Sequence, residues 1–150
     1  MEKGKSDLVA EFQFNGYAFT ELKFLLKENI GVKSVKPLNL AFEVELILDE
    51  NSEKIDVGQI ELTCSIDNNK SDYDSPFHIK VVMQGFFSTR TKVSSEKMAQ
   101  FLKVNGLAAM LPFLRSAVAD LSKISNATST LILPMMNLST LKNTVVHERK

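Results

Sequence analysis

Apolar and polar residues alternate strictly over several runs in the first part of the chain, and the period then lengthens. From Leu40 to Leu48, "LAFEVELIL", an extended chain carries Leu40, Phe42, Val44, Leu46 and Leu48 on one side and Ala41, Glu43, Glu45 and Ile47 on the other. Successive side chains of a strand point to opposite faces, so this pattern predicts a half-buried β-strand. From Val57 to Asp67, Ile60, Leu62, Cys64 and Ile66 alternate with Gln59, Glu61, Thr63 and Ser65, and the intervening "DENSEKID" supplies a turn. The run "FHIKVVMQGFF" places Phe77, Ile79, Val81 and Met83 on one face after the polar connector "NNKSDYDSP". Near the start, "AEFQFNGYAF" opposes Phe12 and Phe14 to Glu11, Gln13 and Asn15. The expectation is a four-stranded antiparallel sheet with one polar face and one apolar face that needs a cover.

The cover begins near Val93. "VSSEKMAQFLKVNG" opens with serines that can accept from backbone amides and with Glu96 in the first turn, which predicts a short helix ending near Asn105 and Gly106. In a second, longer helix Leu107, Met110, Leu111, Leu114, Val118 and Leu121 recur mostly three and four residues apart, a continuous apolar stripe. Pro112 falls within the first two turns, where a missing amide costs least. Ala108, Ala109, Ala117 and Ala119 keep the other faces small, and Arg115, Asp120 and Lys123 carry the charge. Two readings stand side by side: a helix buried on two sides of a monomer, or a helix shared between its own sheet and another subunit.

Composition narrows the function classes. The 150 residues are 44% hydrophobic and 24% charged, with 18 basic and 18 acidic side chains, as expected of one globular α+β domain spanning 1–150. A net charge of zero argues against a nucleic-acid binder. One cysteine, Cys64, excludes an intrachain disulfide and suits a reducing, cytoplasmic setting, and His78 and His147 are the only imidazoles. No run of about 18 uninterrupted apolar residues suggests a membrane span. Neither a phosphate-binding glycine loop nor a zinc or nucleophile motif is present, so no cofactor, metal or catalytic residue is expected. His78 reads as a solvated residue beside Lys80, and Cys64 as a small buried hydrophobe between Leu62 and Ile66.

Several motifs taken together resemble the SecB family of protein-export chaperones. "QGFFS" at Gln84 to Ser88 is similar to the family's glycine-phenylalanine strand end. Met110 to Arg115, "MLPFLR", resembles the start of the family's long helix, and Val118 and Asp120 continue the likeness. Pro134, Asn137 and Leu138 resemble the family's proline-containing segment, with Met135 and Met136 lengthening the gap by one residue. The resemblance runs from about Phe12 to Leu141. It implies a dimer of dimers with a final C-terminal helix, in which Leu107, Met110, Leu111, Leu114, Ala117, Val118 and Leu121 form the oligomer interface. It also implies binding without catalysis: a holdase for unfolded or export-destined polypeptides, independent of ATP. The implied client-binding residues are Phe24, Leu25, Leu26, Ile30, Val32 and Val35 in the crossover after the first strand, with Met135, Met136, Leu138 and Leu141 toward the C-terminus. Methionines suit such a surface because their flexible thioethers fit many partners.

The chain departs from the family pattern in its charge. SecB proteins are acidic and offer carboxylates to the export motor SecA, whereas the corresponding positions here hold Glu21, Leu25 and Lys80, and the tail "LKNTVVHERK" is basic. Of the two partners that the resemblance implies, an unfolded client fits the chain better than SecA. A SecB-like chaperone dedicated to one partner, such as an antitoxin, fits the lost charges. A small-ligand binder or hotdog-like enzyme is the alternative from another class. Such a site would need an acid or histidine facing a tunnel, and the helices offer only Glu96 and Asp120, away from the apolar stripe.

Overall fold

The computed structural model describes residues 11–26, 39–49, 51–67, 77–126, 130–134 and 136–138, and the backbone of 145–148. Strands β2 (Asn39–Leu48), β3 (Ile55–Asp67) and β4 (Phe77–Val93) form an antiparallel meander, and β1 (Phe12–Leu26) pairs antiparallel with β4 on its far side. The alternation read from the sequence is what the packing uses. Ile60, Leu62, Cys64 and Ile66 of β3 and Phe77, Ile79, Val81 and Met83 of β4 are all fully buried on the covered face. Cross-strand pairs such as Leu62 with Met83 and Cys64 with Val81 fix the register. On β2 the burial fades toward the start of the strand: Val44, Leu46 and Leu48 lie in the core, Phe42 is half-buried and Leu40 is exposed.

Strand β1 is longer than the sequence pattern suggested, because two β-bulges disguise its period. Register shifts between Phe14 and Gly16 and between Phe19 and Glu21 insert extra residues against β4. Phe14, Tyr17, Phe19, Leu22, Phe24 and Leu26 thereby oppose Phe87, Gly85, Met83, Val81, Ile79 and Phe77, the inward residues of β4. An alternation that drifts out of phase in the sequence is held on one face in the fold. Phe24, Leu25 and Leu26 consequently belong to the strand and not to the crossover that follows it.

The cover is one continuous helical run. Ser94 Oγ accepts from the Lys97 amide at 3.2 Å, and α1 (Ser95–Phe101) passes through a π-helical turn (Leu102–Gly106) into α2 (Leu107–Ser125). The break expected at Gly106 is absent. Met98, Leu102, Gly106, Leu107, Met110, Leu114, Val118 and Ser122 are the buried residues of this run, and the step of five from Leu102 to Leu107 is what the π turn accommodates. Gly106 is needed for close approach: a Cβ there would come 2.6 Å from Ile60 Cδ1. By length and composition the run from Ser95 to Ser125 is apolar enough to cross a membrane, with mean hydropathy 1.2 over its best window. Its buried stripe lies against the sheet, where a core helix puts its apolar face.

After α2 the chain returns along the helix without forming one of its own in the described residues of 130–137. Asn126 closes α2 in the left-handed region, with φ 53°, and Leu131, Leu133 and Leu138 enter the core. Strand β5 (Val145–Glu148) then pairs parallel with β2, as a fifth strand at the sheet edge where a terminal helix was expected.

Candidate functional site

Helix α2 carries an apolar cleft on each flank. Toward the sheet edge, Tyr17, Phe19 and Leu22 of β1 and Phe113, Ala117, Leu121 and Ile124 of α2 line a groove of about 300 Å³. Its aromatic end is organised: the rings of Tyr17 and Phe113 stand 4.4 Å apart and tilted by 33°, and Phe14 and Phe87 stack behind them. Much of this apolar surface is open to solvent, since Ile124 is 80% exposed, Leu22 52% and Tyr17 42%. Ser116 and Asp120 are its polar lining. The groove borders β1, which among the described residues is the edge strand of the order β1-β4-β3-β2-β5 and carries exposed apolar side chains.

On the opposite flank the described residues 130–134 and 136–138 of the returning segment form the second wall. Hydrogen bonds fasten it to α2: the Leu131 amide donates to Ser122 Oγ at 2.8 Å, and Arg115 Nε donates to the Leu133 carbonyl at 2.9 Å. The Ser122 hydroxyl in turn donates to the Ala119 carbonyl at 2.9 Å, so this fully buried polar group is satisfied. Between the segment and the helix lies a cleft of about 180 Å³ lined by Ala108, Leu111, Pro112, Arg115 and Met136.

The expected site residues divide accordingly. Leu107, Met110, Leu114 and Val118, expected at a subunit interface, are buried in the chain's own core, where they pack the helix on its sheet. Leu111, Ala117 and Leu121 are half-buried, with Leu111 in the smaller cleft and Ala117 and Leu121 in the larger groove. Of the expected client-binding residues, Leu138 is spent on the core at 6% exposure, Phe24 stacks on Phe77 at 5.6 Å, and Leu25 and Leu26 are exposed. Met136 lines the smaller cleft, while Ile30, Val32, Val35, Met135 and Leu141 lie outside the described residues. Tyr17, Phe19, Leu22, Phe113 and Ile124 were not singled out from sequence. Their signal was the two-and-three spacing of β1 and a second stripe on α2 through Phe113, Ala117, Asp120 and Ile124.

Among the described residues no group of three His, Cys, Asp or Glu side chains could hold a metal. Burial pushes the Cys64 thiol up to about 12, leaving it protonated and inert. On the open face of the sheet, Glu21 lies 3.8 Å from Lys80, and Lys80 is directly opposite Lys23 across the β1–β4 pair.

No protein-family model matches the chain. An uncharacterized protein of Methanocaldococcus jannaschii is 24% identical over 128 residues, covering 85% of this chain and 79% of that protein. Among solved structures, the chain is similar to a SecB-like chaperone of Mycobacterium tuberculosis in complex with a ChAD peptide from the HigA1 antitoxin. The TM-score is 0.65 at 16% identity, over 87% of this chain and 94% of that one. The fold is SecB-like.

Proposed function

We propose that the protein is an ATP-independent SecB-like chaperone that holds one dedicated polypeptide, in the manner of a chaperone serving an antitoxin. The observation that carries this reading is the exposed apolar surface on both flanks of α2, in a fold similar to that of a chaperone solved with an antitoxin peptide. Isolated apolar residues on a surface are ordinary, but contiguous apolar clefts on a charged, soluble-type chain call for an occupant.

The two flanks suit different occupants. The larger groove adjoins the open edge of β1, so a second copy can cover it with main-chain pairing and aromatic burial at once. We assign it to assembly, as the homotetramer that the SecB resemblance implies. The smaller cleft, with Met136 and Leu111, is assigned to the client. Binding to SecA does not follow from the sheet surface: Glu21 has Lys80 as its neighbour, and Leu25 offers no carboxylate.

Suppression of aggregation is the test. The purified protein, without nucleotide, is expected to keep its genomic partner polypeptide soluble at near-stoichiometric ratio, and to protect unrelated unfolded proteins only weakly. Equal protection of all clients would point to a general holdase. No protection of any would refute the chaperone reading.

A further inference from the structure

We infer that the cleft between α2 and Met136 of the returning segment recognises a client segment in which an apolar side chain is followed by an acidic one, with Arg115 as the residue that reads the carboxylate. This inference rests on the polypeptide-binding reading above and names the chemistry of the partner. Leu111, Pro112, Met136 and Ala108 give the cleft an apolar lining, and Arg115 is the charged side chain in it among the described residues. At about 180 Å³ it has room for one aliphatic side chain and is smaller than the roughly 300–1,000 Å³ of pockets that hold whole small molecules.

Arg115 is already oriented for this task. Its Nε is committed to the Leu133 carbonyl, which fixes the plane of the guanidinium and leaves the N–H groups of both Nη atoms to donate. Among the described residues it forms no ion pair, and no acid lines the cleft. A guanidinium held beside apolar surface attracts a carboxylate more strongly than a fully solvated one does, because water screens the pair less. The helix adds a backbone acceptor. Pro112 sits inside α2 and has no N–H to return to the Ala108 carbonyl, so that oxygen is free of its usual helical partner at a residue lining the cleft. A peptide main chain can donate to Ala108 while its acidic side chain accepts from Arg115. A fatty acid carboxylate offers no such donor.

Short acetylated and amidated peptides, identical except for a central Leu-Leu-Glu, Leu-Leu-Gln or Leu-Leu-Lys, test this by fluorescence anisotropy on the full chain. The Glu peptide is expected to bind about tenfold tighter than the Gln peptide, with the Lys peptide weakest, as for a partly exposed charge-assisted hydrogen bond. Arg115→Met should bring the Glu and Gln peptides to equal affinity. Because that change also frees Leu133, Ala108→Glu is the second variant. It leaves the Leu133 hydrogen bond in place, puts a carboxylate in the cleft, and should reverse the order in favour of Lys. Equal binding of all three peptides to the unaltered protein, or a Glu preference that survives both variants, would overturn the inference while leaving polypeptide binding intact. A free C-terminal acid form of the Gln peptide that matches the Glu peptide would also overturn it, since the cleft would then read chain ends. If none of the peptides binds and the partner polypeptide is not held either, the chaperone reading itself fails.

Discussion

Ser122 on α2 is fully buried, and its hydroxyl accepts from the amide of Leu131 at 2.8 Å, nine residues later in the chain. That bond turns the returning segment back along the helix and brings Leu131 and Leu133 into the core. Ser122→Ala would leave a buried amide with no partner, which costs about 1–3 kcal/mol. An unfolding free energy in urea lowered by that amount, with a lower midpoint and faster hydrogen exchange at Leu131, is expected. An unchanged midpoint and unchanged exchange would show that the segment is held by apolar burial alone.

Gly106 lies in the π turn, with helical dihedrals, against Ile60 and Phe87. Replacing a helical glycine by alanine ordinarily stabilises a protein. Here the added methyl would come 2.6 Å from Ile60 Cδ1 and 3.3 Å from Phe87 Cζ. Gly106→Ala is expected to destabilise by about 1–3 kcal/mol, the usual cost of overpacking. A stabilised variant in thermal unfolding would mean that the helix can move off the sheet without penalty.

Cys64 gives the fold a pH dependence of known sign. Its folded pKa is raised by burial from 9.0 to about 12, so the native state holds the thiol proton more tightly than the unfolded chain. The resulting stability is fully present below pH 9 and is lost as pH rises from 9 toward 12. Cys64→Ala or Cys64→Val should flatten that part of the stability curve. In the native protein at pH 8 a thiol reagent should label Cys64 only at the rate of unfolding, and rapid stoichiometric labelling would contradict its burial.

Much of this arrangement was legible in the sequence, and the exceptions have physical causes. β2, β3 and β4 read directly because each buries one face and solvates the other. The span of β1 was shortened because its inward residues run Phe12, Phe14, Tyr17, Phe19, Leu22, Phe24, a spacing that makes sense only once two bulges are known. Gly106 read as a helix stop, whereas the fold uses its missing side chain. The segment around Leu131 and Leu133 alternates as an extended chain does, but its methionines and Pro134 drew attention as a groove, and β5 carries no periodic signal in four residues. Arg115 read only as one of three charges on the long helix and as the end of the "MLPFLR" motif. Its role depends on Leu133 returning to within 2.9 Å, a tertiary fact that local pattern cannot supply.

The proposed assembly uses the larger groove. Ala117 is half-buried there, three residues before Asp120, and leaves room for close approach. Ala117→Glu places a second carboxylate on the same face and should split the proposed tetramer without unfolding the chain. Sedimentation velocity is expected to show a smaller particle than the unaltered protein. A folded variant with an unchanged sedimentation coefficient would remove the groove from the interface.

The dedicated-chaperone reading is tested most directly by site-specific photocrosslinking in the source cell. A photoreactive residue at Ala108, which is exposed and lines the smaller cleft, reports whatever occupies it. The account predicts one dominant crosslinked polypeptide, unaffected by depletion of ATP and lost when Leu111→Asp charges the cleft in a chain that remains folded. A broad ladder of unrelated polypeptides would contradict the dedicated partner, and no crosslink above that of the Leu111→Asp control would contradict client binding at this cleft.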